Sequence, residues 1–347
     1  TYQRFDVPVR GRTTAPVLRW EGTADPARLV TLHAWNADAK AWDALATRRG
    51  AADGDTALEA AVRPEHVTGG TVHAMVTGTD PFADDIDAGD PDRFADPDDY
   101  DFAMVHYTDT QYLSEGAVEG ATEKERRTWG SAYTGVMDWV VDNAEDRKIA
   151  YVAHTGDIIE NNIRALTPEL EDQVVGELEF ASAAQGRIDA AGIPNGVVAG
   201  NHDNRSGQDP TLYDRYFGPD RYEALSETWE NATYGGTMTP GSNENHYELF
   251  TAGGLDFVVV GLSYGVTRDE AEWAASVFQR YPDRNGVLLT HDYLEPSTSP
   301  DGRGANLGGS DGPLLYDLLV RDNDNVFLVL AGHRHGVGTN VRPPVVG

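Results

Sequence analysis

The chain contains no cysteine. Disulfides, thiolate metal ligands and a thiol nucleophile are excluded together, and any metal must be held by oxygen and imidazole nitrogen. Positive charge is scarce: 27 Lys and Arg stand against 57 Asp and Glu, a net charge of -30 at pH 7. A field of that sign repels polyanions, so neither nucleic acid nor an anionic membrane is expected as a stable partner. A phosphate in a metal-lined or locally cationic pocket is still compatible with it, and oligomeric state is left open. No apolar run approaches the ~18 residues of a membrane span. The first residue is Thr1, with no basic and apolar leader ahead of it. A mature secreted chain has this form and so has a trimmed one; an extracellular location is the expectation. No repeat at solenoid periods is visible.

What is present divides along the chain. Its 347 residues suffice for one large domain and a smaller one, at ~100 to 200 residues per domain. Residues 29–35, 57–62 and 71–76 alternate apolar and polar side chains between Gly- and Asp-rich turns, the pattern of half-buried strands. Residues 1–82 are therefore read as a small all-β, sandwich-like domain, with His33 and His73 as packed or edge residues rather than ligands. Residues 83–101 are dense in Asp and Pro with almost nothing apolar, which reads as an acidic linker. The D-x-D-x-D-G calcium loop with its closing Glu is absent from it.

Residues 102–347 read as α/β. Strands are expected at 102–108, 149–154 and 193–199, with helices at 122–143 and 167–190 between them. A strand pair follows at 244–250 and 255–261, then a helix at 268–279, a strand at 286–290, a helix at 313–321 and a strand at 326–331. Parallel strands joined by right-handed crossovers gather their carboxyl ends along one edge, where open α/β sheets place ligands. The residues that follow those strands are Asp109 and Gln111, Asp157, Asn201 and His202, His291, and His333 and His335. Carboxylate, imidazole and amide oxygen are what divalent first-row metals accept without sulfur, and there are more of them than one ion needs. Two ions are implied, with one carboxylate bridging them.

Asp109-Thr110-Gln111, Gly156-Asp157, Gly200-Asn201-His202-Asp203, Thr290-His291 and Gly332-His333-Arg334-His335 resemble, in order, the five blocks of the calcineurin-like metallophosphoesterases. The resemblance implies two packed β-sheets flanked by helices. It assigns Asp109, Gln111 and His335 to one metal, Asn201, His291 and His333 to the other, and Asp157 to both. It makes His202 the residue that steadies the phosphate or protonates the leaving oxygen, and Asp203 a partner orienting that imidazole. The nucleophile it implies is a metal-activated hydroxide. Where this chain has Gln111 the family most often has His; an amide carbonyl suits harder ions, so Mn or Fe is expected to be tolerated beside Zn. Arg205 and Tyr293 adjoin ligand blocks and are candidate substrate contacts, and Glu160 and Asn161 candidate partners of the ligands.

Two other readings compete. Gly261-Leu262-Ser263-Tyr264-Gly265 fits the loose nucleophile-elbow pattern of a serine esterase, although the next helix is expected to start only near 268. A non-catalytic surface- or polymer-binding protein with a structural metal is the other, and His202 beside the ligands argues against it. The expected function is dinuclear metal-dependent hydrolysis of phosphate mono- or diesters. Loops 207–245 and 295–312, rich in Gly, Pro and polar residues, are expected to face the substrate.

Overall fold

The computed structural model describes residues 2–9, 16–24, 28–51, 54–79, 95–298, 302–336 and 338–341. Most of the expected linker, 83–94, lies outside them; its end is a short 3-10 turn, Pro97–Asp99, capped by the Asp96 carboxylate. Contacts divide the chain into two units. One comprises residues 1–91 with 296–305 and 336–340, the other 92–295 with 306–335 and 341–347.

The described secondary structure of the first unit is strands and one 3-10 turn: β1 (Tyr2–Pro8), β2 (Val17–Gly22), β3 (Leu29–Asn36), β4 (Ala41–Arg49), β5 (Thr56–Ala61), β6 (Val67–Thr68) and β7 (Thr71–Thr79). An antiparallel sheet runs β1-β7-β3-β4 with β6 on β7, and β2 pairs with β5. Every second residue of β3 and β7 is buried, Val30, Leu32 and Ala34 facing Val72, Ala74 and Val76, and Leu18 of β2 and Leu58 of β5 join the same core. That is the two-residue period of a strand with one wet face. His33 bonds Thr77 Oγ1 at 3.0 Å and His73 bonds Asp6 at 2.6 Å, so both histidines have ordinary strand partners.

The second unit contains β8 (Ala103–Tyr107), α1 (Gln111–Glu119), α2 (Glu123–Asp142), β9 (Ile149–His154), α3 (Pro168–Ala190), β10 (Asn195–Val197), α4 (Thr211–Phe217), α5 (Pro219–Ser226), β11 (Ala232–Thr237), β12 (Asn245–Ala252), β13 (Leu255–Leu262), α6 (Arg268–Arg280), β14 (Asn285–Thr290), α7 (Asp311–Leu315) and β15 (Val326–Leu330). β10-β9-β8 form a parallel sheet, and β11 to β15 a second sheet that is antiparallel up to β13 and parallel beyond it. Capping boxes start α2 at Thr122 with Glu125 and α6 at Thr267 with Glu270, and the Thr167 hydroxyl caps α3. No described helix is long and apolar enough to cross a membrane.

Side chains alternate between two apolar layers along the central strands. Val152 and Val197 face α2 and α3, while Tyr151 and Ala153 face Phe250, Phe257 and Val259 of the other sheet. On that sheet Val258, Val260 and Leu288 turn outward to Ala274 and Phe278 of α6 and to Leu315. Strands buried on both faces read as unbroken apolar runs, and each buried Val or Leu contributes about 1.5 to 3 kcal/mol.

The 207–245 stretch, expected as a loop, is structured. It carries α4, α5 and β11 and buries Tyr213, Phe217, Tyr222, Trp229 and Tyr234, so aromatic packing outweighs its Gly- and polar-rich composition. The helix expected at 313–321 starts at Asp311 and continues from Tyr316 to Val320 as a π-helix. β10 is shorter than the expected 193–199; it starts only at Asn195, since Pro194 has no N–H to give and offers only its carbonyl, to Val152 N.

One polar group lies between the sheets. Glu248 is fully buried, with Tyr151 Oη 3.1 Å from its Oε2 and His246 Nε2 3.5 Å from its Oε1. Burial lifts Glu248 to about 8 and lowers His246 to about 4, so both are held neutral near pH 7. The carboxyl's stabilising contribution is complete below its unfolded value of 4.5 and is lost as pH rises toward about 8, at about 1.4 kcal/mol per pH unit. Glu248→Gln should remove that part of the slope: urea unfolding of the wild type weakens more steeply between pH 5 and 8 than that of the variant. Parallel curves would mean that Glu248 is ionised in the fold.

Candidate metal centre

Each expected ligand block follows a strand in the second unit: β8 leads to Asp109, β9 to Asp157, β10 to Asn201, β14 to His291 and β15 to His333. Asp109, Asp157 and His333 have φ of 56°, 54° and 69°. Left-handed backbone at a non-glycine residue costs about 1 kcal/mol or more and concentrates at functional turns. The turns brace one another. The His333 N–H donates to the Asp109 carboxylate at 3.1 Å, and the His202 N–H to Asp157 Oδ1 at 3.0 Å. Position 200 must be glycine, because a Cβ there would overlap Asp157 Oδ1.

His291 is fully buried and its Nδ1 lies 2.7 Å from the Thr155 carbonyl, which fixes the proton on that nitrogen. Its Nε2 then faces Asn201 Oδ1 at 3.1 Å, Asp157 Oδ1 at 3.2 Å and His333 Nδ1 at 3.2 Å. Ligand atoms of Asp157, His291 and His333 all lie within 4.8 Å of one another, the group of three with metal-binding geometry among the described residues. Burial disfavours charge on His291, but the Asp157 hydrogen bond and charge outweigh it and lift the imidazole to about 9; Asp157 is lowered in return despite its own burial. His333 is lowered by burial and by the His291 charge. The charged imidazole thus places Nε2–H among these acceptors, and a metal cation would take that proton's place among the same lone pairs.

A second set is less gathered. Gln111 begins α1 and is buried, and its Oε1 has no hydrogen-bond partner, as an amide oxygen reserved for a cation would be. Asp109 accepts from Thr108 Oγ1 at 2.7 Å and from His333. His335 is exposed and makes no hydrogen bond among the described residues.

The His202 imidazole is held by Glu160, not by Asp203. Its Nδ1 lies 2.6 Å from the Glu160 carbonyl and 3.2 Å from Glu160 Oε2. The expected orienting role of Asp203 is corrected by its geometry: fully buried, it accepts from Gly200 N at 2.7 Å, Ile158 N at 2.9 Å and Ile159 N at 3.1 Å. It clamps the two ligand turns together. Burial and the Asp157 charge push its carboxyl up to about 7, against the pull of those N–H groups. Asn161 donates to Glu177 Oε1 at 2.7 Å. Arg205, with φ of 53°, pairs with Asp209 at 2.9 Å. Tyr293 lies in the core with Leu288, Leu315 and Leu319, which removes it from the substrate contacts.

Ser263 is not an elbow nucleophile. Its hydroxyl donates to the Glu244 carbonyl at 2.9 Å and accepts from Ala199 N at 2.9 Å, and α6 starts only at Arg268. The neighbouring Tyr264, missed from the sequence, packs its ring 5.3 Å from His333 and 5.9 Å from His291. Its signal was position: it follows β13, whose end lies beside that of β14.

Oxygen and imidazole ligands on the strand ends of a layered α/β unit are the equipment of a metallohydrolase. A family model described as calcineurin-like phosphoesterase matches residues 85–337, and the chain belongs to that family. It is similar to the uncharacterized protein YvnB of Bacillus subtilis (strain 168), 27% identical over 340 residues, 96% of this chain and 22% of that protein; the chain thus spans about a fifth of its relative. Among solved structures, the N-terminal endo-1,4-beta-D-xylanase 10B of Clostridium thermocellum (CBM22-1-GH10 modules with xylohexaose) aligns at 10% identity and a TM-score of 0.24, over 94% of this chain and 68% of that one. That likeness carries no argument.

Removing the Asp203 clamp should be costly. Asp203→Ala leaves three N–H groups without their acceptor and should lower unfolding stability by about 3 kcal/mol or more, whereas His202→Ala should cost about 1. Urea unfolding decides it; equal losses would show that Asp203 does not clamp the turns.

Proposed function

We propose that the chain hydrolyses phosphate mono- or diesters at a dinuclear metal site. The observation that carries the reading is the convergence of Asp157, Asn201 and His333 on His291 Nε2, at 3.1 to 3.2 Å. Asn201, His291 and His333 would hold one ion, Asp109, Gln111 and His335 the other, with Asp157 shared. When bound, such ions supply Lewis acidity toward a phosphoryl oxygen and toward an attacking water. The Gln111 amide carbonyl supports Mn or Fe beside Zn.

The protein's own residues supply orientation and protons. With Nδ1 tied to the Glu160 carbonyl at 2.6 Å, the His202 nitrogen left to meet the substrate is Nε2, which holds the proton for the leaving oxygen or a hydrogen bond to the phosphate. Tyr264 closes one wall of the histidine pair. The Asp203 clamp and the paired turns fix the carboxylates before substrate arrives.

The test is hydrolysis of an aryl phosphate monoester and an aryl phosphodiester by metal-stripped protein with Mn, Zn, Fe or Mg restored. Turnover should require metal, fall by more than ~100-fold in Asp157→Asn and by ~100-fold or more in His202→Ala, and survive in Ser263→Ala. Two bound ions without turnover on either ester would overturn the reading in favour of a binding role, and stoichiometric zinc in both positions would remove the preference for Mn or Fe.

A further inference from the structure

Two ligand-bearing turns are joined by an ion pair that the chemistry above does not use. Asp292 follows His291, and Arg334 follows His333. Arg334 Nε donates to Asp292 Oδ1 at 3.3 Å and Nη2 to Oδ2 at 3.4 Å, while Glu295 Oε1 faces the same Nη2 at 3.4 Å. The Asp292 side chain is 4% exposed and that of Arg334 34%. Gly309 makes the room: its φ is +58°, and a Cβ on it would overlap Asp292 Oδ2.

As a stability device this is a poor arrangement. Two carboxylates on one guanidinium leave a net negative charge, and with Asp292 buried the cost of desolvating the pair offsets much of its attraction. What it does well is orient. Gripping the Nε–Nη2 edge fixes the plane of the guanidinium, and Nη1 is left without a hydrogen-bond partner among the described residues. Arg334 is next in the chain to His333 and bonds the residue next to His291, and those two imidazoles lie 3.2 Å apart, so the guanidinium sits where the two ligand-bearing turns meet. Arg205 is held by a single carboxylate instead, its Nη1 on Asp209 at 2.9 Å, and the nitrogen it leaves without a partner is the buried Nε.

On the phosphoesterase reading of the site, we propose that Arg334 is a phosphate-binding residue, its Nη1 donating to a non-bridging phosphate oxygen while Asp292 and Glu295 hold the guanidinium in place. A monoester is nearly a dianion at pH 7, since its second pKa is ~6, whereas a diester carries one charge. In a chain of net charge -30 the fixed cation therefore favours monoesters.

The experiment measures inorganic phosphate binding to the metal-loaded full chain by calorimetry, for the wild type, Arg334→Ala, Arg334→Lys and Arg205→Ala, with metal content and the kinetics of both esters beside it. Arg334→Ala should weaken phosphate binding ~10- to 100-fold and raise KM for the monoester by a like factor. It should change kcat and metal content little and move the diester KM less; Arg334→Lys should recover part of the loss and Arg205→Ala show a smaller one. Unchanged phosphate affinity in Arg334→Ala overturns the proposal, as does a loss that accompanies loss of metal, which would make the residue a structural clasp. An equal effect on both esters removes the preference. Because phosphate binding is read without turnover, a chain that binds phosphate through Arg334 but hydrolyses neither ester would overturn the phosphoesterase reading alone.

Discussion

With His291 Nδ1 committed to the Thr155 carbonyl, the acceptors left facing one another around Nε2 are a carboxylate, an amide oxygen and a second imidazole nitrogen. Lone pairs so placed repel, and the repulsion is relieved only by positive charge among them. Holding them there is the constraint the second unit is built around. All five strands that deliver the blocks have parallel neighbours, β8, β9 and β10 in one sheet and β14 with β15 in the other, so their ends are fixed by ladder hydrogen bonds before any side chain is considered. The last few ångströms are set by side chain to backbone bonds from one turn to the next, in which Asp203, Asp109 and Asp157 are the acceptors.

Strain is distributed in the same way. Among the described residues seven non-glycine positions have positive φ, and five of them, Asp109, Asp157, Arg205, Ser206 and His333, lie in the ligand turns or immediately after them. A turn under strain persists only where its surroundings over-determine it. Here the surroundings are two apolar cores, one on each side of the five-stranded sheet, together with the helices seated on the three-stranded one. Dry interior and strained rim belong to one design: a rim this irregular needs rigid strands beneath it.

Much of this was legible in the sequence, for identifiable reasons. The central strands are buried on both faces, so 149–154, 255–261 and 286–290 appeared as apolar runs, and Thr122, Thr167 and Thr267 are capping residues that mark helix starts. α1 was missed because it follows Asp109 after a single residue and carries Gly116 and Ser114 in its interior, which weakens any helical pattern. The 207–245 region was misread because its aromatic residues pack from short elements with no sustained period. Within the site, residue types and order pointed to Asp157, His291 and His333, which the fold brings together, whereas Asp203 and Tyr293 were misjudged. Adjacency to a ligand block says nothing about which way a side chain turns, and one turned toward backbone N–H groups while the other entered the core. Glu160, by contrast, holds His202 mainly through a carbonyl, which no reading of side-chain types can single out.

The division of the chain bears on how the protein can be taken apart. Residues 296–305 and 336–340 belong with the first unit, although they flank the second unit's 306–335 segment and the latter begins directly after His335. No single cut therefore separates the units. A fragment starting after residue 91 would keep all the ligand blocks yet carry two pieces of a body it no longer possesses, one of them covalently next to a candidate ligand.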